Sequence, residues 1–489
     1  MKAGRTVLQA IPKAFPGALS GWAARYGMPT PLRFWPVFFL AATPPLGAQT
    51  PADLARLQDE AVRRITEYVR INTTNPPGNE AEAMRFFARI LHDEGIAFDT
   101  ASSAPGRGNI WARLKGGSAP GLVLLHHMDV VPADTHYWHA DPFGGTVTNG
   151  DLFGRGTLDT KTLGIVELEA FLALHRSKAP LTRDVIFLAT ADEEAGGAFG
   201  AGWVVKNHPE AFAGAGFVLN EGGDGSVEDG RARFGIEVTQ KVPLWLRLVA
   251  TDRPSHGSIP PVASSVNRLI RALFRIQTYD FAPRIVPAVA AYFQGLAPTA
   301  APQWRDAYGD IARAVQDRNT LLRLQIDAPA MAALTRNTCS ITMLAGSNKI
   351  NVIPPEAQAQ LDCRLLPDQD RAAFLAELAA VIDDPGIRIE QIMGFTAAVS
   401  PLDNPLYRAI ADVSRKHFPA AAIVPQVSTG FTDSHFFRDL GLASYGYAPF
   451  LIPADQEGGV HGNDERISIE NVRRGTVMML EIVQAMTRP

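Results

Sequence analysis

The chain has 489 residues, of which 46 are Lys or Arg and 50 are Asp or Glu, and its formal net charge is -4. At about 150 residues per domain, this length predicts two or three folded units. The near-balanced charge argues against the basic surface that nucleic-acid binding needs. Two cysteines, Cys339 and Cys363, are too few for a disulfide-built scaffold or a four-thiolate zinc site. A bound metal would therefore need oxygen and imidazole ligands.

The first 48 residues contain a short apolar stretch at 34–42, which follows Arg33 and precedes small residues. The stretch is shorter than the about 20 residues that span a bilayer, and its composition is typical of a cleaved export signal. A start at Met28 would leave a compact leader before it. We therefore predict an exported protein, periplasmic or secreted, with no stable membrane insertion after signal removal. A disordered tail or an uncleaved anchor is the alternative.

The next segment predicts helices and then buried strands. Apolar residues between Asp53 and Glu94 recur at helical spacing, and Asn75-Pro76-Pro77-Gly78 interrupts them, which predicts two helices joined by a polar turn. A helical stretch at 163–175 follows the first of three short apolar runs, which lie at 121–125, 185–189 and 217–219. Buried strands that alternate with helices predict an α/β fold with a doubly wound, mostly parallel sheet.

The pattern changes after Lys241. Apolar and polar residues alternate at 244–249, 340–344 and 358–362, and a helical stretch follows at 371–382. This change predicts a separate α+β unit at 242–394, inserted into the first domain, which it divides into residues 49–241 and 395–489. Residues 283–319 fit neither pattern, and the sequence assigns them no role.

Metal-competent side chains follow three predicted buried strands, where ligands bind in open α/β sheets. A further carboxylate, Asp159, lies just before a predicted helix, and His461 lies far downstream. Taken singly, each is more typical of a solvated or structural residue. Carboxylates packed at one sheet edge repel one another unless a multivalent cation neutralises them. Two His and three carboxylates provide ligands for two zinc-like ions, with one carboxylate bridging. The candidate ligands are His127, Asp159, Glu194, Glu221 and His461.

Four segments resemble, in order, the motifs of the dinuclear zinc peptidases that include aminoacylase-1, glutamate carboxypeptidase, acetylornithine deacetylase and succinyl-diaminopimelate desuccinylase. The segments are His127-Met128-Asp129, residues 154–161, Asp192-Glu193-Glu194 and residues 459–462. The resemblance implies two Zn²⁺ ions per chain, and Co²⁺ or Mn²⁺ would accept the same ligands. By the resemblance, one ion binds His127 and Glu221, the other binds Glu194 and His461, and Asp159 bridges them.

The resemblance also implies catalytic roles. Glu193 would be the general base, and Asp129 would orient His127 by accepting the other ring N–H. The family often has an Asp after the bridging residue, joined to it through a cis peptide bond, and this chain has Thr160 there.

Motifs of the second domain resemble the same family. His256 lies in a segment like the family's lid, whose His reaches the metal site of the partner subunit, so the resemblance implies a homodimer through the lid domain. Asn351 and Arg364 match residues that contact substrate, with Arg364 binding its carboxylate. A turn residue and a domain salt bridge are the alternatives for these two. Gly430 matches a substrate-side glycine-rich loop, although Asp433 in that segment could simply cap a helix that begins near Ser434.

These features together predict an exported dizinc hydrolase that cleaves an amide or peptide bond next to a free carboxylate. Its substrate would be an N-acyl amino acid or the C-terminal residue of a small peptide. A dizinc aminopeptidase or dipeptidase, which recognises a free amine, is the nearest alternative. The second alternative is a binding homologue that has kept the fold but has no catalytic activity. Whether Cys339 and Cys363 form a disulfide or remain buried thiols is left open by the sequence.

Overall fold

A computed structural model describes residues 49–488, except for residues 224, 229, 230, 454, 455, 457 and 458. The predicted export signal and leader at 1–48 lie outside the described residues. None of the helices in the described part of the chain is both long and apolar enough to cross a membrane.

Helices and strands alternate through most of the described chain. The α-helices are α1 (Pro51–Val69), α2 (Glu80–Asp93), α3 (Lys161–Ser177), α4 (Ala201–Asn207), α5 (Ser265–Thr278), α6 (Pro287–Leu296), α7 (Pro302–Gly309), α8 (Ile311–Ala314), α9 (Arg318–Asp327), α10 (Pro329–Ala333), α11 (Arg371–Ile382), α12 (Pro405–His417), α13 (Ser434–Arg438) and α14 (Ile469–Thr487). The first nine strands are β1 (Phe98–Ala104), β2 (Arg107–Leu114), β3 (Ala119–His127), β4 (Thr146–Thr148), β5 (Asp151–Phe153), β6 (Arg183–Thr190), β7 (Ala215–Asn220), β8 (Gly225–Glu228) and β9 (Arg231–Gln240). The others are β10 (Val242–Thr251), β11 (Ser255–His256), β12 (Thr338–Ala345), β13 (Val352–Ile353), β14 (Glu356–Leu365), β15 (Ile387–Gly394), β16 (Ala422–Ser428), β17 (Ala443–Gly446), β18 (Leu451–Ile452) and β19 (Arg466–Ser468).

A ten-stranded sheet forms the centre of the larger domain, in the order β1-β2-β6-β3-β7-β17-β9-β8-β18, with β16 paired to β9. Strands β6, β3, β7 and β17 are mutually parallel. Successive side chains of β3 point to opposite faces, so that Leu122 and Leu124 enter one core while Val123 and Leu125 enter the other. Both faces are covered, which confirms the predicted doubly wound, mostly parallel sheet.

Helix α3 is buried on every side because it lies between the sheet and helices α1 and α14. The predicted helices on either side of residues 75–78 are α1 and α2. Helix α1 begins with a capping box, in which the Thr50 side chain accepts from the Asp53 N–H and the Asp53 carboxylate accepts from the Thr50 N–H. Helices α2 and α3 pack directly against the sheet, and α1 and α14 cover α3.

A second, four-stranded antiparallel sheet of order β12-β14-β10-β15 lies within the predicted insertion at 242–394. Helices α5 and α11 bury their apolar faces in the core of this sheet, and α11 has the predicted bounds of 371–382. Cys339 of β12 and Cys363 of β14 are directly opposite each other and form a disulfide. This answers the question that the sequence left open.

Residues 286–334, which include most of the unassigned segment 283–319, pack elsewhere. Buried side chains of α6 and α9, such as Val289, Phe293 and Leu324, join the core of the large sheet and not that of the small one. Helix α6 packs beside β16, where Gly295 approaches Val424. Part of the predicted insertion therefore extends the catalytic core, and the limits of the lid domain stay a prediction.

Candidate active site

The parallel strands β6, β3 and β7 are neighbours, so their carboxyl ends meet at one edge of the sheet. His127 is the last residue of β3, Glu221 directly follows β7, and Glu193 and Glu194 lie in a short turn after β6. Asp192 begins this turn in a left-handed conformation with φ 69°, which directs the two glutamates back over the sheet edge. Asp159 lies just before α3, and its peptide bond to Thr160 is cis.

The five candidate ligands form one continuous cluster. His127 Nε2 lies 3.5 Å from Glu221 Oε1 and 3.0 Å from Asp159 Oδ1. The other oxygen of Asp159, Oδ2, lies 3.0 Å from His461 Nε2, which is 3.1 Å from Glu194 Oε2. Asp159 thus faces a different imidazole with each oxygen, as a bridging ligand would. A Glu193 carboxylate oxygen lies within 4.8 Å of the ligand atoms of His127 and Glu221.

The electrostatics of the cluster fit a cation site. Burial and the charge of Asp159 raise the pKa of Glu194 to about 7. Hydrogen bonds to Asp159 and Glu194 raise the pKa of His461 to about 10. Burial together with the charge of Glu221 raises the pKa of Glu193 well above its usual value. Among the described residues, Glu194 Oε1 is buried without a hydrogen-bond partner. A bound cation would neutralise the repulsion among these carboxylates, and the mixed carboxylate and imidazole donor set suits zinc.

Asp129 is fully buried behind His127. His127 Nδ1 is 3.0 Å from the backbone oxygen of Asp129 and 3.4 Å from its carboxylate Oδ1. The carboxylate also accepts the backbone N–H groups of Glu193 and Glu194, each at 3.1 Å. Asp129 therefore holds the turn that carries the predicted base and one predicted ligand, in addition to lying against the imidazole.

Known proteins resemble this chain in sequence and in fold. Residues 123–485 match the model of peptidase family M20/M25/M40. The chain belongs to this family. The N-fatty-acyl-amino acid synthase/hydrolase PM20D1 of Mus musculus is 28% identical over 389 residues, which cover 75% of each chain. Aminoacylase-1B of Rattus norvegicus is 25% identical over 435 residues, covering 87% of this chain and 95% of that protein. An M20 family metallo-carboxypeptidase from Sulfolobus solfataricus has a similar fold, with a TM-score of 0.66 and 19% identity over 88% of this chain and 99% of its own.

Membership of the M20/M25/M40 family makes the chain a hydrolase of amide or peptide bonds and confirms the resemblance seen in its motifs. Family membership also explains why the chain combines a large, mostly parallel sheet with a second, smaller sheet. The individual roles of the ligands and of Glu193 stay predictions.

Glu465 is a site residue of this M20 chain that the sequence analysis missed. Its buried carboxylate accepts the backbone N–H groups of Gly156, Leu158 and Asp159 at 3.0, 2.7 and 3.2 Å. It also pairs with Arg155 at 2.7 Å, and Arg155 donates to the Gly462 carbonyl at 2.8 Å. Glu465 therefore joins the loop of Asp159 to the loop of His461. Its position four residues after His461 was the available signal.

A second group that the sequence analysis missed lies behind Asp129. The segment predicted as a polar turn contains Asn75, which is buried and donates to Asp129 Oδ2 at 2.7 Å. Glu80 and Arg107 lie beside it, also buried. The Asn-Pro-Pro-Gly segment was a visible signal, but nothing in the local pattern associates Arg107 with the site.

The lid residues lie apart from the cluster. His256 is exposed, and its ring contacts Ser258, whose Oγ lies 2.7 Å from Nδ1. Its strand β11 pairs with β13, and the Asn351 carbonyl accepts from the Gly257 N–H at 2.8 Å. Asn351 itself is exposed. In the described part of the chain, neither side chain contacts a candidate metal ligand.

Arg364 lies where the two domains meet. Its guanidinium pairs with Asp362, with Nε at 2.7 Å from Oδ1, and it stands over the Phe431 ring at 5.7 Å. This pair is the salt bridge weighed as the alternative to substrate binding. Nη1 of Arg364 is nevertheless buried without a hydrogen-bond partner in the described chain. Gly430 is exposed and directly precedes Phe431, so its loop lies against Arg364 of β14.

Asp433 does not cap α13, since its side chain makes no capping hydrogen bond. Instead its buried carboxylate accepts from the Thr190 hydroxyl at 3.1 Å, at the end of β6. The helix-cap explanation for this residue was wrong.

Proposed function

We propose that this chain is an exported dizinc hydrolase that cleaves the amide bond next to a free carboxylate, with N-acyl amino acids as the preferred substrates. The observation that carries the proposal is the continuous run of donors Glu221, His127, Asp159, His461 and Glu194, with Glu193 beside it. The similarity to the N-fatty-acyl-amino acid synthase/hydrolase and to aminoacylase-1B favours acyl amino acids over other amides.

Each group has a place in the reaction. His127 and Glu221 would hold one Zn²⁺, Glu194 and His461 the other, and Asp159 would bridge them. Two bound cations lower the pKa of a shared water and polarise the scissile carbonyl. Glu193 takes the proton of the attacking water and delivers it to the leaving nitrogen. Its buried position keeps the proton away from bulk solvent between these two steps.

Substrate recognition is assigned to the domain junction. A guanidinium binds a carboxylate through two parallel N–H bonds, and Nη1 of Arg364, which has no partner among the described residues, would donate one of them. Asn351 would contact the same end of the substrate, and the backbone of Gly430 can approach it closely because it has no side chain. Exchange of the Asp362 partner for the substrate carboxylate would orient the amide toward the metal site.

Dimerisation through the lid completes the proposed site. Helix α5 and the edge strand β12 expose apolar side chains that a second copy could cover, including Ile270, Phe274, Met343 and Leu344. His256, which contacts no ligand of its own chain, would then donate to the oxyanion at the neighbouring site.

Export is supported by the disulfide in the lid. Disulfides persist in oxidising compartments and are rare in reducing ones. The disulfide agrees with the signal predicted from the sequence at 34–42.

A substrate panel tests the proposal. The purified protein with added Zn²⁺ should release amino acid from N-acyl amino acids of different acyl length. It should not act on the same compounds with an amidated carboxyl group. Cleavage of free dipeptides from the amino end, with amine-blocked substrates untouched, would establish the aminopeptidase alternative. If the protein turns over none of these substrates and binds no metal, the catalytically silent homologue is the remaining explanation.

A single variant tests the proposed contact between Arg364 and the substrate carboxylate. Arg364→Lys should raise KM about tenfold or more, because a lysine cannot form the paired bonds of a guanidinium. Arg388, an exposed arginine of the lid sheet paired with Glu390, offers the matched Arg388→Lys control. Equal KM values for the two variants would remove Arg364 from the substrate site.

A further inference from the structure

We propose that Asn75 is a positioning residue of the active site, which acts through Asp129 to hold both His127 and the Glu193–Glu194 turn. The kinetic part of this inference rests on the proposed function, whereas its metal-binding part does not. Asn75 lies on the loop between α1 and α2, more than fifty positions before Asp129 in the chain.

Four groups surround the Asp129 carboxylate. Oδ1 accepts the Glu193 N–H at 3.1 Å and lies 3.4 Å from His127 Nδ1. Oδ2 accepts the Glu194 N–H at 3.1 Å and the side-chain amide of Asn75 at 2.7 Å. The bond from Asn75 is the shortest of the four. Any rotation of this carboxylate would disturb the imidazole, the predicted base and a predicted ligand at the same time.

Asn75 is itself held by a closed ring of buried polar groups. Its amide nitrogen lies 3.2 Å from Asp192 Oδ1, and its oxygen accepts from Arg107 Nη2 at 2.8 Å. Arg107 Nη1 pairs with Glu80 Oε1 at 2.6 Å, and that oxygen also accepts the Asp192 N–H at 3.3 Å. The contact between Asp192 and Asn75 closes the ring.

This ring suits a carboxamide. Asn offers two donors and an acceptor in one plane, and here both kinds of group are used. A carboxylate at this position would face the Asp129 and Asp192 carboxylates without a proton to donate. Asn75 is 4% exposed and Asp129 0%, so water cannot readily replace the lost bond.

The ring also explains why Asp192 keeps its left-handed conformation. Asp192 precedes Glu193, its carboxylate accepts the Phe199 N–H at 2.9 Å, and its other oxygen meets Asn75 and Arg107. Asn75 therefore contacts the Glu193–Glu194 turn from two directions, through Asp129 and through Asp192. A residue that only closed the loop between α1 and α2 would need neither contact.

The decisive variant is Asn75→Ala, with Asn79→Ala as its matched control. Asn79 lies in the same loop but is exposed, and its amide donates only to the Asn72 carbonyl in the described chain. Zinc affinity is measured by competition with a chelator on metal-free protein, alongside kcat, KM and the native fraction by circular dichroism.

For Asn75→Ala we expect zinc affinity to fall about 10- to 100-fold, the usual effect of losing a partner behind a metal ligand. With saturating zinc, kcat per native molecule should fall about tenfold or more while KM stays within about twofold. Asn79→Ala should match the wild type in all of these. Unchanged zinc affinity and unchanged kcat per native molecule would overturn the proposal, even if the melting temperature fell.

Arg107→Lys supplies a second test if Asn75→Ala does not fold. It retains a cation for Glu80 but loses the bond to the Asn75 oxygen, and it should lower zinc affinity in the same direction by about threefold or more. An unchanged affinity would contradict the proposal. If the wild type binds zinc but hydrolyses none of the substrate panel, the proposed function fails while the zinc measurements still decide the role of Asn75.

Discussion

The sheet edge and the lid contribute to the site in different ways. At the sheet edge, His127, Asp159 and Glu194 are mostly buried, and their neighbours hold them through several hydrogen bonds each. In the lid, His256 and Asn351 are exposed and touch none of the ligands in the described chain. The first region is organised before substrate arrives, whereas the second can act only when another molecule reaches it.

This difference follows from where each set is attached. Strand ends of a sheet covered on both faces cannot move independently, which suits groups that must share two cations. A loop on a separate small sheet can approach a substrate or a second copy of the chain. Variants at the sheet edge should therefore abolish turnover in any assembly state, and variants in the lid should have effects that depend on assembly.

Metal removal should have the largest effect. Since all the proposed chemistry depends on bound cations, a chelator should abolish turnover, and Zn²⁺, Co²⁺ or Mn²⁺ should restore it. Metal analysis of the active protein should find about two ions per chain. Full turnover in metal-free protein would break the distinction between the two regions, because the sheet edge would then have no special role.

Glu193→Gln should come next, with a fall in kcat of about 10²- to 10⁴-fold, since the amide cannot accept the proton of the attacking water. Metal content should stay unchanged, because Glu193 is not assigned as a ligand. Glu210→Gln, at an exposed glutamate paired with His208, is the control and should have wild-type kinetics. A Glu193→Gln protein with normal kcat would remove this residue as the base.

His256→Ala should lower kcat by about 10²-fold, as expected for the loss of one oxyanion donor, with metal content unchanged. Mixing it with Glu193→Gln sharpens the comparison. If His256 acts on the neighbouring copy, half of the re-formed dimers have one intact site, and about a quarter of wild-type activity should return. Mixtures with no more activity than the separate variants would show that His256 does not work across a dimer.

The smallest effect on turnover is expected for the paired variant Cys339→Ser and Cys363→Ser. These cysteines join adjacent strands of the lid, with a sequence separation of 24. Closing a loop of this length stabilises by about 3 kcal/mol, so the melting temperature should fall while kcat at low temperature changes little. Wild-type protein under reducing conditions should show the same loss. A large fall in kcat with unchanged stability would mean that the lid sheet takes a direct part in catalysis.

Local pattern was enough for much of the fold. Helix α11 has the bounds that its periodicity predicted, and the runs at 121–125 and 185–189 lie in adjacent parallel strands of the large sheet. Side-chain alternation and helical spacing are properties of neighbouring residues, so they can be recognised without knowing the tertiary contacts. His127, Glu194 and Glu221 were predictable because they follow buried strands, whereas Asp159 and His461 were recognised through the resemblance of their motifs to a known family.

Other features depended on residues brought together from distant parts of the chain. The sequence did not show that residues 286–334 pack on the core of the large sheet, because the composition of their short helices suits either domain. The sequence by itself determined the sheet, and its resemblance to a known family named the five candidate donors and the neighbouring Glu193. Only the tertiary structure decided that Asn75, Arg107 and Glu465 support them, because a buried hydrogen bond depends on positions in space and leaves no periodic pattern along the chain.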